Sequence, residues 1–330
     1  MSATDPRANP LLIGHGAAEA ALLGALRGGR VHHAWLLTGP DGVGKATLAF
    51  RFARRLLAGG PADSLALEPD HPVFRRVAAG THADLLTVER AWDEKRKRLR
   101  GEITVENVRG VADFLRLTPA EGGWRVVVLD GAEHLNRNAA NALLKVLEEP
   151  PQCAVLLLAC AVPGRLLPTI RSRCRRLPLG RLADAELAAL LDRFLPETEP
   201  GERARLTQIA NGSPGRALRL ADENGTALAS LAEDALQASP GLSTARALAI
   251  ADQASRTDAA FATFMDLLGE GLADRVRAAA RSGADRAGTL PLAEWVEMWQ
   301  AILRLRDETE RFNLDKRHAV ASSLALLNGS

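Results

Sequence analysis

The chain has 330 residues, 47% of them hydrophobic and 25% charged, with a formal net charge of only +2 at pH 7. That length predicts two or three domains of ordinary globular type, and so small a net charge does not announce a nucleic-acid binder, although a local patch stays open. No apolar run approaches membrane-spanning length, Met1–Pro10 lacks the layout of an export signal, and Cys153, Cys160 and Cys174 lack the paired spacing of a disulfide framework or zinc cage, so a cytoplasmic chain with no membrane contact is expected.

In chain order, Leu11–Gly16 is an apolar entry to an Ala/Leu-rich helix over about 17–26, which Gly28 and Gly29 stop. Ala34-Trp35-Leu36-Leu37 then reads as a buried strand. It runs into Gly39-Pro40-Asp41-Gly42-Val43-Gly44-Lys45-Ala46-Thr47 and a helix to about Leu57. An apolar strand, a glycine loop ending in Gly-Lys and a helix make the layout of a phosphate-binding loop: Gly39, Gly42 and Gly44 let backbone N–H groups crowd an anion, and Lys45 reaches the outer phosphates. The hydroxyl that such loops offer to Mg²⁺ is missing, because Ala46 follows the lysine. Thr47 is one residue late and about 100° round the helix. The plainer alternative is a glycine-rich turn with no ligand.

Between Ala62 and His82 the pattern is weak, and His71 and His82 lack the further ligands a metal needs. Residues 83–88 read as a strand. Lys95–Arg100 is the most basic run, favoured as a solvated hairpin tip over a phosphate-contacting loop. Val105–Leu117 has helical spacing. Arg125–Asp130 is a buried parallel strand ending in an acid, where an Asp either helps hold Mg²⁺ or caps the next helix. The water-polarising Glu expected after Asp130 is Gly131, and Glu133 is expected to lie too far beyond the strand to replace it. A helix over 138–149 ends at Pro150-Pro151. The strand Ala154–Ala159 leads to Cys160-Ala161, and Ile170–Cys174 follows. Alternating strands and helices predict a doubly wound parallel α/β sheet with its ligand at the strand C-termini. Beyond Leu177–Pro178 the chain reads as helical: Leu182–Leu195 capped by Asp184, then about 202–210, then a helix opened by Asn211–Arg216, and Ala/Leu-rich helices from Thr226 onward.

His33-Ala34-Trp35-Leu36 before the glycine loop, Asn141–Pro151 and Ser172-Arg173-Cys174 together resemble the bacterial clamp-loader branch of the AAA+ family, over roughly residues 11–220. The resemblance implies an AAA+ P-loop domain (1–178), a helical lid (179–225) and an all-α collar that assembles a ring (226–330). It implies other clamp-loader subunits, the sliding clamp and primed DNA as partners, and ATP as the ring's cofactor. It implies that Arg173 projects into a neighbour's nucleotide site and that Arg216 contacts the subunit's own nucleotide. Three hydrolytic parts depart from the family: Ala46, Gly131, and Cys160-Ala161 where a polar sensor is usual. The family's four-cysteine zinc module also has no counterpart between Gly60 and Gly101. ATP at the chain's own site is therefore expected to be weak or absent, with Gly39, Gly42, Gly44, Lys45, Ala46, Thr47, Asp130 and Arg216 forming what remains of that site. The expected role is that of a stator, which completes a neighbour's site without running its own. The alternatives are an active ATPase motor subunit of the same loader and a DNA-binding module using Lys95–Arg100. Arg173 also has a plainer reading, as a surface ion-pair partner.

Overall fold

The computed structural model describes residues 5–94, 98–121, 123–281, 286–287 and 290–328. Two compact units emerge: one comprises residues up to Glu197 together with Asn211–Arg216, the other Thr198–Ala210 and Ala217 onward.

In the first unit, α1 (Gly16–Arg27), β1 (Ala34–Thr38), α2 (Lys45–Ala58) and α3 (Pro72–Ala78) precede β2 (Leu85–Val88) and a two-stranded hairpin, β3 (Trp92–Asp93) with β4 (Arg98–Leu99). Next come α4 (Val105–Arg116), β5 (Arg125–Asp130), α5 (Arg137–Glu148), β6 (Ala154–Cys160), α6 (Pro168–Arg173), β7 (Arg175–Pro178) and α7 (Asp184–Phe194). The five long strands form one parallel sheet in the order β2-β5-β6-β1-β7. β1 and β6 are buried along their whole length, as strands covered on both faces must be, and this is why they read as continuous apolar runs. Ala34, Leu36, Val127, Leu129, Leu156 and Leu158 pack on one face with Val111 and Leu115 of α4 and Leu143 and Leu147 of α5. The doubly wound parallel α/β sheet is present as expected.

Two local expectations change. The weak stretch 62–82 contains α3, which starts at Pro72 with His71 Nδ1 accepting the Val73 N–H at 3.1 Å. His82 Nδ1 likewise accepts the Asp84 N–H at 3.2 Å, so both histidines serve the backbone. Asp184 is the first residue of α7 and not its cap; the Glu186 carboxylate accepts the Ala183 N–H instead, at 3.0 Å.

The second unit is helical: α8 (Pro200–Ala210), the continuation of α9 (Pro214–Asp222), α10 (Gly225–Ala238), α11 (Thr244–Ala254), α12 (Asp258–Arg281), α13 (Leu292–Phe312) and α14 (Lys316–Leu327), with short strands β8 (Arg286–Ala287) and β9 (Leu290–Pro291) paired between α12 and α13. Phe261, Phe264, Met265, Leu268, Ile302 and Leu324 form its core. Among the described residues no helix is long and apolar enough to cross a membrane.

Candidate functional site

The loop after β1 and the ends of β5 and β6 meet at one edge of the sheet, because the register sets Thr38 level with Cys160 and Asp130 level with Ala159. Gly39, Gly42 and Gly44 all have positive φ, and α2 starts at Lys45 with Ala46 and Thr47 in its first turn. A side chain at Gly42 would be strained and crowded: an added Cβ would lie 2.6 Å from Ser213 Oγ and 2.9 Å from the Arg216 nitrogen.

That crowding identifies what lies against the loop. Asn211–Arg216 folds back over it: the Gly215 N–H donates to the Gly42 carbonyl at 2.8 Å, and the Ser213 hydroxyl donates to the Asp41 carbonyl at 2.8 Å. Ser213 Oγ also accepts the Arg216 N–H at 3.3 Å, and the Leu182 N–H donates to the Gly212 carbonyl at 2.9 Å. The segment carrying Arg216 is thus fastened directly to the loop carrying Lys45.

Lys45 is buried and turned onto its own loop. Its Nζ donates to the Gly39 carbonyl at 2.9 Å and to the Pro40 carbonyl at 2.6 Å. Burial pushes its ammonium below the usual lysine range, while the carboxylates of Asp41, Glu133 and Asp130 pull the other way. Asp130 is raised above the usual carboxylate range, again chiefly by burial, with Lys45 opposing. Asp130 caps no helix: the cap of α5 is Asn136, whose side chain accepts the Ala139 N–H at 2.9 Å.

Glu133 corrects the sequence reading. Gly131, at φ 77°, allows the chain to turn directly out of β5 into the short 3-10 turn Ala132–His134. The turn keeps Glu133 by the strand ends, close enough for its carboxylate to act on the Cys160 thiol. Burial first, and then Glu133, push that thiol up to about 12. The position where a polar sensor is usual therefore holds a buried thiol near an acid. Sequence spacing alone hid this, because it treated the stretch after Asp130 as continuing outward.

These residues fit a phosphate-cradling loop better than a metal-dependent one. The glycine backbone and Lys45 are in place, but Ala46 has no oxygen for a metal and Gly131 has no carboxylate for water. Among the described residues no group of three or more His, Cys, Asp or Glu side chains could hold a metal ion.

Arg173 lies at the opposite edge of the sheet. It ends α6, two residues before β7, and Arg175 stands level with Trp35 near the start of β1. From Trp35, β1 climbs three more residues to Thr38, about 10 Å at strand rise, before the glycine loop begins. Arg173 Nη1 donates to the Thr169 carbonyl at 3.1 Å, and Nη2 pairs with Glu148 Oε1 at 2.9 Å. Both side chains stay substantially exposed, at 36% and 50%. Glu148 closes the Leu-Leu-Lys helix and Arg173 lies in Ser-Arg-Cys, so the two most distinctive sequence motifs meet in one ion pair. The basic run falls on the β3–β4 hairpin, but Lys95, Arg96 and Lys97 lie outside the described residues.

A family model described as "DNA polymerase III, delta subunit" matches residues 14–183, a span that holds the glycine loop, Asp130 and Arg173. The chain is 44% identical over 199 residues to DNA polymerase III subunit delta' of Pseudomonas aeruginosa, a match covering 58% of this chain and 57% of that protein. It is 36% identical over 199 residues to the subunit delta' of Escherichia coli, covering 60% and 57%. The match thus spans 57% of the length of these relatives. A solved Thermotoga maritima protein, described as related to the DNA polymerase III gamma subunit, aligns with 93% of this chain and 99% of its own at a TM-score of 0.50; at 19% identity that likeness speaks to the fold alone. On the family model, which takes in more than half of its residues, the chain belongs to the DNA polymerase III delta subunit family.

Proposed function

We propose that this chain is a delta'-type stator of a clamp-loader ring. It completes a neighbouring subunit's nucleotide site with Arg173, and its own loop hydrolyses little or no ATP. The ring's other ATPase and clamp-opening subunits are its partners, and through them the sliding clamp is placed on primed DNA in the cytoplasm. The reading is supported by the names of the two delta' relatives.

The observation that carries it is the position of Arg173, exposed at the strand edge remote from Lys45. A guanidinium there lies too far from the chain's own loop to serve it, and it suits a partner docked on that edge. Charge that builds on a phosphoryl group in the transition state is stabilised by such a group. The half-exposed pair with Glu148 is worth no more than about 1 kcal/mol, so it does not prevent exchange of the carboxylate for a phosphate. The absence of a hydroxyl at Ala46 and of an acid at Gly131 supports the non-hydrolysing half of the reading. We assign residues 1–178 to the nucleotide-binding part, 179–225 to the lid and 226–330 to the collar that holds the ring.

The test is Arg173→Ala in a reconstituted ring whose assembly is verified by native mass measurement. An arginine finger is worth about 10³–10⁵ in rate. One site should therefore fall silent, and total ATPase should drop by that site's share. Arg173→Lys should not restore it, since an ammonium lacks the planar fork. Lys45→Ala should leave ATPase and clamp loading unchanged. Normal ATPase and loading from an intact Arg173→Ala ring would overturn the proposal.

A further inference from the structure

Between Glu149 and Asp184 the chain has no acidic residue and six arginines, Arg165, Arg171, Arg173, Arg175, Arg176 and Arg181. That excess is larger than the +2 of the whole chain, so the remainder is net acidic and the positive field is concentrated on this stretch. Arg171, Arg173, Arg175 and Arg176 gather where α6 turns into β7, the last strand of the sheet. Arg171, Arg175 and Arg176 are exposed, and among the described residues no carboxylate pairs with any of them.

Successive side chains of a strand point to opposite faces. Arg175 is level with Trp35, and its guanidinium lies 4.9 Å over that buried ring, on the side where Trp35 meets Phe52 of α2. Arg176 is level with Leu36, which packs on the other side with α4 and α5. The sheet edge is therefore a ridge with a cation on each flank, and Arg171 and Arg173 extend it along α6. One or two charges on an edge strand are enough to keep sheets from pairing edge to edge. That role does not account for Arg171, which precedes the strand, nor for the lack of a single acid. Like charges held this close repel, a cost that an opposing anionic surface removes.

We propose that Arg171, Arg175 and Arg176 are a docking surface for an acidic protein face, that of the neighbouring ring subunit, which they draw onto the edge where Arg173 projects. The inference rests on the stator reading and gives the partner's surface its chemistry. A ridge with cations on both flanks fits a cleft with acidic walls. A nucleic-acid backbone, with its phosphates in one line, would meet one flank only. The three arginines act on encounter and not on the reacting phosphate, since complementary charge raises the association rate more than it slows dissociation.

The experiment is stopped-flow association of the full-length chain with the purified ATPase subunit of its cognate clamp loader, at 50 and 200 mM salt. The association rate constant should fall at least about 3-fold across that range, because exposed charges are screened over about 10 Å at 0.1 M salt. The pair Arg171→Glu with Arg176→Glu should lower it about 10- to 100-fold at 50 mM, flatten the salt dependence and change dissociation less. Lysine at both positions should keep the rate, since steering reads charge. Arg75→Glu with Arg109→Glu, exposed on α3 and α4, makes the same change in net charge elsewhere and should matter little. Unchanged far-ultraviolet circular dichroism of each variant excludes misfolding as the cause. A rate insensitive to salt, or unchanged by the double reversal, would overturn the proposal. So would weaker binding of a 20-nucleotide single strand or duplex by the double variant with subunit association unchanged, which would assign the edge to nucleic acid. Normal ATPase from an intact Arg173→Ala ring would instead overturn the stator reading, and the association rates would stand.

Discussion

Gly215→Ala is the sharpest probe of the clasp over the glycine loop. An added Cβ would lie 2.8 Å from the Gly42 α-carbon and 3.1 Å from the Gly42 carbonyl oxygen. Both are backbone atoms that cannot rotate away, so the Asn211–Arg216 segment must retreat by about half an ångström to restore ordinary contact. That retreat stretches the Gly215–Gly42 bond of 2.8 Å and the Ser213–Asp41 bond of 2.8 Å together. With about 1 kcal/mol for each weakened bond and a similar sum for the crowding, the loss is about 2–3 kcal/mol. Gly24→Ala is the opposite case. Gly24 lies in the interior of α1 with nothing within 4 Å of an added Cβ, so the substitution should stabilise by about 0.5–1 kcal/mol. Urea-dependent hydrogen exchange of the β5 peptide, followed by mass spectrometry, reports the first unit alone. With a urea slope of about 2 kcal/mol per M, its midpoint should fall by about 1–1.5 M for Gly215→Ala and rise slightly for Gly24→Ala. A fall of less than about 0.3 M for Gly215→Ala, or a parallel fall for Gly24→Ala, would refute the argument.

Asp130→Asn should raise the melting temperature at pH 7. The folded-state pKa of Asp130 is raised above its ordinary 3.8, so the folded chain holds that proton more tightly than the unfolded chain. Stability from this group is therefore lost as pH rises above the ordinary value, and the advantage of Asn should shrink as the pH falls toward 4. Calorimetry of both proteins at pH 7 and pH 4.5 checks the sign; a variant less stable at pH 7 would contradict it. Alkylation should divide the three thiols: Cys153 is exposed, whereas Cys160 and Cys174 are buried with pKa values pushed up to about 12. Iodoacetamide at pH 8 should add one label to the native chain and three after denaturation, counted by mass. Glu148→Gln should cost less than about 1 kcal/mol in stability, since its pair with Arg173 is half exposed; a larger fall in a denaturation midpoint would show that the pair is structural.

Elements whose pattern is strong were legible before the structure. Val126, Val127, Val128 and Leu129 could only be an interior strand, and Asn141–Glu148 could only be a helix halted by two prolines. Helix α3 was hidden because it has seven residues and offers only Val73, Phe74 and Val77 as a buried face, less than the periodicity needed to stand out. Glu133 was misjudged because one left-handed glycine reverses the chain, and apolar spacing carries no sign of that. The contact between Ser213 and Asp41 joins residues 172 apart, so no local pattern records it. The motifs flagged both Glu148 and Arg173, but their pairing is likewise a property of the folded chain alone.

The course of the chain through the clasp limits how this protein can be divided. The backbone leaves the first unit after Glu197, re-enters it for six residues and leaves again after Arg216. A fragment stopped at 178 or 197 would retain every strand of the sheet and still lose the partners of the Asp41 and Gly42 carbonyls. The shortest piece that keeps the glycine loop covered therefore runs to residue 216 and must carry α8 with it. The glycine loop thus serves as the buckle to which a later stretch of the chain is fastened.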